Sequence, residues 1–181
     1  MCPFFARSFV DEIIMKQIFP CLWFDDQAEE AAKYYTSIFK NSKIIGTTYY
    51  DEDSSKAAKR PAGSVLTVSF EINGTTFLAL NGGPLFKFSE AISMVAPCET
   101  QEELDYLWAK LSADGGEEGY CGWLKDKFGL SWQVGPALME KWMLDPDKEK
   151  AGRVMKAVMQ MRKLDIAELE AAYEGKLPTA K

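Results

Sequence analysis

The chain has 181 residues, 47% of them apolar, and a formal net charge of −6. That length suits one domain, or one domain built from two similar halves, with a core that needs neither disulfides nor a structural metal. The acidic balance argues against nucleic acid as a partner, because phosphate binding relies on clustered Lys and Arg. Histidine is absent, which removes Ser-His-Asp triads, Cys-His dyads, HExxH zinc sites and the His ligands of non-haem iron. Acid–base work near neutral pH would fall to a shifted carboxylate, Cys, Lys or Tyr.

Residues 1–15 read as an N-terminal segment of uncertain role. Asp11 and Glu12 interrupt its apolar run and no small-residue cleavage site follows, so a signal peptide is not expected. No run reaches membrane-spanning length. Lys16 to Phe24 reads as a strand, and Asp26 with Glu29 as a capping-box-like helix start. Ala28, Ala31, Ala32, Tyr35, Ile38 and Phe39 continue that helix along one face. Lys43 to Tyr50 is strand-like, and the polar stretch 51–63 reads as a loop or flap. Val65 to Ile72 and Thr75 to Leu80 form a hairpin around Asn73-Gly74. Asn81-Gly82-Gly83-Pro84 then turns the chain into a linking segment.

The second half repeats this order in fewer residues. Ala91 to Cys98 is a strand, and Thr100 with Glu103 caps a helix carrying Leu104, Leu107, Trp108 and Leu111 on one face. A short segment near Glu117-Glu118 precedes strands over Tyr120 to Leu124 and Leu130 to Val134. Lys125-Asp126-Lys127 between them reads as a solvated hairpin tip. The expected organisation is a two-module domain over 16–136, divided into about 16–88 and 89–136. A helical extension over 137–175 and a tail over 176–181 follow. In the extension, Ala137 to Leu144 is a short helix and Asp145-Pro146 is expected to cap the next one. Ala151, Val154, Met155, Val158 and Met161 form its apolar stripe, which is expected to pack on its own domain or a sister subunit. Asp165 with Glu168 starts a last helix. The four cysteines show no CxxC spacing and read as reduced thiols of a cytoplasmic protein, with a Cys98–Cys121 disulfide left open.

A strand-helix-strand-strand-strand module written twice resembles the vicinal oxygen chelate superfamily, which includes glyoxalase I and bleomycin-resistance proteins. The stretches LNGGPLFKFSEAIS at 80–93, VAPCETQEELDYLWAKLS at 95–112 and CGWLKDKFGLSWQVGP at 121–136 narrow this. They are similar to the PhnB-like family, whose members are often labelled 3-demethylubiquinone-9 3-methyltransferase. Residues 145–175 are similar to a C-terminal extension seen in that family. The resemblance implies an α+β fold, two βαβββ modules curling a mixed sheet around a cavity, and a homodimer. It also places Pro20, Phe77, Ser93 and Gln133 where metal-dependent relatives carry ligands. Proline and phenylalanine cannot ligate, and serine with one glutamine is a poor donor set, so no metal site is expected. Methyl transfer would need a glycine-rich cradle between a parallel strand and a helix, whereas Asn81-Gly82-Gly83-Pro84 follows a hairpin strand and reads as a turn, so no cofactor is expected.

The candidate ligand-binding residues are Asn81, Phe86, Phe88, Ser93, Trp123, Ser131 and Gln133. Phe77, Ala79 and Asn81 share one face of their strand by alternation. Asn81 reads equally as a turn residue bonding its own backbone. Ser93, Ser131 and Gln133 would bind a ligand through hydrogen bonds or satisfy one another. Phe86, Phe88, Trp123 and Trp132 would wall a pocket or pack as core. No residue qualifies as catalytic. The expected partners are a second copy of the chain and a small apolar or aromatic molecule, with neither nucleic acid nor membrane.

Overall fold

The computed structural model describes residues 18–176; the N-terminal segment, the first two residues of the expected opening strand and residues 177–181 lie outside the described residues. The first module runs β1 (Cys21–Phe24), α1 (Ala28–Ile38), β2 (Ser42–Tyr49), α2 (Glu52–Ala58), β3 (Val65–Ile72) and β4 (Thr75–Asn81). The second runs β5 (Ser93–Cys98), α3 (Gln101–Leu111), β6 (Glu117–Glu118), β7 (Trp123–Lys125) and β8 (Ser131–Pro136). Then come α4 (Met139–Met143), α5 (Lys148–Val158) and α6 (Ile166–Glu174). The fold is α+β, and its two sheets are ordered β1-β4-β3-β2 and β5-β8-β7-β6. In each sheet the module's first strand pairs parallel with its last, and the other neighbours are antiparallel. The shared order is the structural form of the sequence repeat. No described helix is long and apolar enough to cross a membrane.

Each sheet packs one face on its own module's helix. In the first module, Leu22, Phe24, Val68, Phe70, Phe77 and Ala79 are buried beneath Ala28, Ala31, Ala32 and Tyr35 of α1. In the second, Ala96, Cys98, Leu124, Trp132 and Val134 lie beneath Leu104, Leu107, Trp108 and Leu111 of α3. Among the described residues the first sheet's opposite face is only partly buried, and the second's is partly covered by the residues after β8. The modules meet through an aromatic joint in which Phe39 stacks on Trp132 at 5.3 Å and Phe24 meets Phe128 edge-on at 5.8 Å. Such pairs add about 0.5–1.5 kcal/mol each beyond the area they bury. The exposed Lys127–Glu30 ion pair at 2.6 Å contributes under about 1 kcal/mol, so the core and not the surface holds the modules together.

Four local readings change. The expected solvated tip is not one: Asp126 is only 2% exposed. Its carboxylate accepts hydrogen bonds from the Tyr35 hydroxyl and the Trp132 indole N–H, both at 2.8 Å. The Phe128 and Leu130 amides complete the set at 2.9 and 3.1 Å. Within 51–63 lies the helix α2, whose cap Asp51 accepts the Ser54 amide while the Ser54 hydroxyl accepts the Asp51 amide. Helix α1 starts at Gln27, which makes no side-chain cap, and Asp26 with Glu29 forms no capping box. Helix α5 is capped by Asp147, whose carboxylate takes the Glu149 and Lys150 amides, in place of Asp145-Pro146. The caps at Thr100 and Asp165 form where expected, each accepting the amide three residues on.

Candidate functional site

The open face of the second sheet is built in cross-strand rows. Ser93, Ser131 and Lys125 make one row; Val95, Gln133 and Trp123 make the next; Pro97 and Gly135 follow. Alternation puts all of them opposite the α3 face. Gln133 Nε2 donates to Ser93 Oγ at 2.9 Å, so these two candidates partly satisfy one another. Gln133 Oε1 has no hydrogen-bond partner among the described residues. Ser131 Oγ is buried and also unpartnered.

Residues 137–164 cover the far end of this face. Cys121 N–H donates to Met161 O at 2.7 Å, and Gly122 N–H to Arg162 O at 2.8 Å. Leu164 fills the space left by two glycines, since a Cβ at Gly122 or Gly135 would stand 3.1–3.2 Å from its Cδ1. Gln101 on α3 clamps the segment from beneath, donating to Leu164 O at 3.2 Å and accepting from the Ile166 amide at 2.9 Å. Between these helices and the strands lies a pocket of ≈ 600 Å³. Trp123, Gln133, Val95 and Pro97 form its strand side, and Met139, Met143, Met155 and Val158 its helix side. Its size and mainly apolar walls with one amide suit a small organic molecule. A recess of ≈ 210 Å³ adjoins it across Trp123, lined by Ser131, Lys125, Glu90, Glu117 and Glu118.

A groove of ≈ 680 Å³ runs elsewhere, where the C-terminal end of α1 meets the N-terminal end of α3. Lys40, Asn41, Asn73, Glu102 and Glu103 line it. Ile38, Phe39, Pro97, Tyr106 and Leu107 line it as well, so its walls are mixed, and the smaller, mainly apolar pocket is the better candidate for an apolar body.

Ser93, Trp123, Ser131 and Gln133 are thus together on one face. Asn81, Phe86 and Phe88 lie with the first module. Phe77, Ala79 and Asn81 do share a face, and it is the one turned to α1. There Asn81 Oδ1 accepts the Ala28 amide at 2.8 Å, capping α1 from a neighbouring strand, and its Nδ2 donates to Val65 O at 3.0 Å. Phe86 packs edge-on against Trp23 at 5.0 Å, and Phe88 against Phe24 at 5.2 Å. Trp132 belongs to the joint between modules. Gly82 accommodates the Trp23 ring, which lies 2.2 Å from where its Cβ would be, while the indole N–H bonds Gly83 O at 2.8 Å. The glycine pair therefore seats a tryptophan. Phe77 is buried and stacked on Phe70 at 5.3 Å, so of the four positions matched to metal ligands only Ser93 and Gln133 bring oxygen or nitrogen to the open face.

Among the described residues, Cys21, Cys98 and Cys121 are free. Burial, with Glu103 nearby, pushes the Cys98 thiol up to about 12, which removes it as a nucleophile near neutral pH. Cys121 lines the pocket in a left-handed backbone conformation, with φ at 58°. The methionine wall and Val95 were absent from the sequence candidates. Met155 was legible in the apolar stripe of the extension, half-exposed beside buried Val154 and Val158, whereas Val95, Met139 and Met143 carried no such signal.

Residues 16–135 match the family described as 3-demethylubiquinone-9 3-methyltransferase. Among solved structures, the PhnB protein of Bacillus cereus is 33% identical, covering 66% of this chain and 99% of its own, with a TM-score of 0.58. A Pseudomonas aeruginosa protein at 16% identity covers 67% of this chain and 98% of its own, with a TM-score of 0.53, a likeness of fold alone. No curated protein matches the chain. The family match stops before α4, so the helices that close the pocket lie outside it.

Proposed function

The chain belongs to the family described as 3-demethylubiquinone-9 3-methyltransferase, and from that premise we propose that it binds a small apolar or aromatic molecule, without a metal, as a cytoplasmic homodimer. The pocket between β5, β7, β8 and α4–α5 is the observation that carries this reading. Its apolar walls favour burial of a ring or alkyl body, and the free amide oxygen of Gln133 can orient one hydrogen-bond donor on it. Trp123 provides a flat stacking surface. Ser93 holds this amide by accepting from its Nε2, and Ser131 lines the adjoining recess, so both support the site from outside the pocket's lining. Asn81, Phe86 and Phe88 support the first module and are not assigned to ligand contact. The reading involves no catalytic residue.

Calorimetric titration with planar aromatic molecules tests this, read beside tryptophan emission. Val95 is 68% exposed at the pocket mouth, so Val95→Trp fills the space without disturbing the core. Micromolar binding should fall at least about tenfold in that variant. Undiminished binding would place the ligand elsewhere. The family's description favours a second reading, methyl transfer. A several-degree rise in melting temperature with S-adenosylmethionine would move the assignment there.

A further inference from the structure

The pocket carries a charge preference as well as an apolar one. Among its described lining residues the only charged side chain is Glu140, and no lysine or arginine reaches it. Across Trp123, the adjoining recess adds Glu90, Glu117 and Glu118 against the single ammonium of Lys125. That ammonium is already paired with Glu90, which holds the Lys125 pKa above and the Glu90 pKa below their usual ranges. Glu118 accepts the Trp108 indole N–H at 2.8 Å. Ser131 Oγ, buried and unpartnered on the same face, lines the recess and can accept or donate, so it adds no sign of its own.

We propose that this pocket selects an apolar body bearing a positive charge, such as a lipophilic amine or quaternary ammonium, and rejects carboxylates, sulfonates and phosphates. The inference rests on the reading of the pocket as a small-molecule site and adds the sign of its ligand. A cation over the Trp123 ring gains from the negative face of the indole. Glu140, exposed on the lining of the same pocket, adds a solvent-screened attraction of the same sign. An anion in the same place would give up hydration beside a carboxylate and find no cationic partner.

Tetraphenylphosphonium and tetraphenylborate have nearly the same shape and opposite charge, and triphenylmethanol serves as a neutral companion. Calorimetric titration of the intact protein with all three, at low and at physiological salt, separates shape from charge. The cation should bind about tenfold or more tighter than the anion, with the neutral probe between them. Glu140→Gln should shrink that gap by roughly threefold, and Glu140→Lys should reverse the order. Because Glu140 is exposed, neither change threatens the fold. Equal binding of cation and anion, or an unchanged gap in Glu140→Gln, overturns the charge preference. If the neutral probe still binds and Val95→Trp still blocks it, the apolar site survives without that preference. Failure of all three probes removes both.

Discussion

At the scale of single residues, Asp126 joins the modules. Burial raises its pKa above the ordinary 3.8, and the four donors around the carboxylate oppose that rise without cancelling it. A raised value means that the folded chain keeps a proton the unfolded chain has already released. The stability contributed is therefore fully present below 3.8 and lost as pH rises through the higher folded value. Asp126→Asn cannot titrate, and its amide nitrogen would face the Trp132 indole N–H or the Phe128 and Leu130 amides. It should be less stable by about 1–3 kcal/mol at low pH. The deficit should narrow as pH rises from about 4, which urea unfolding across that range would measure. A pH-independent difference would contradict the buried carboxylate. In the sequence, Lys125-Asp126-Lys127 looks solvated because the partner that buries it, Tyr35, stands 91 positions away. Asn81 was half legible for the same reason. Strand alternation gives the face it shares with Phe77 and Ala79, but not which helix covers that face.

At the scale of elements, periodicity and caps carried most of the reading, because both are local. Leu104, Leu107, Trp108 and Leu111 bury as one stripe on α3, and Thr100 caps it. Where a cap comes from a distant strand, as at α1, the nearby Asp26 and Glu29 mislead. The pocket was least legible, because it exists only once α4 and α5 lie across β8. Leu164, 3% exposed, is the contact that seats them on Gly122 and Gly135. Leu164→Ala should cost about 2–5 kcal/mol in thermal or urea unfolding. It should weaken ligand binding alongside. A loss under about 1 kcal/mol would mean the extension is held chiefly by its backbone hydrogen bonds.

At the scale of the whole molecule, the sheets differ in what covers them. The extension lies over the second sheet's open face, while strand β2, at the edge of the first sheet, exposes Ile45 and Tyr49 at 53% and 60%. An exposed apolar edge of this kind usually marks an interaction surface. If the homodimer forms there, light scattering should find two chains per particle in the wild type. The double variant Ile45→Lys, Tyr49→Lys should be monomeric with its melting temperature largely retained. A dimer that survives both changes would have to use another surface. The doubled strand order was legible from the repeated pattern. The unequal covering was not, since it depends on where the extension docks.

The docking of that extension also leaves a reporter in the turn that leads into β7. The Cys121 and Gly122 amides point at carbonyls of the segment after α5 and not at a neighbouring strand. Their exchange with deuterated solvent therefore times how often the extension lifts, while amides within β3 and β4 time the unfolding of the sheet itself. A ligand held between helices and strands should slow the first pair by the factor it stabilises the closed form, and leave the second unchanged until global opening dominates. Two backbone protons thus distinguish a pocket that breathes from one that opens only when the protein unfolds.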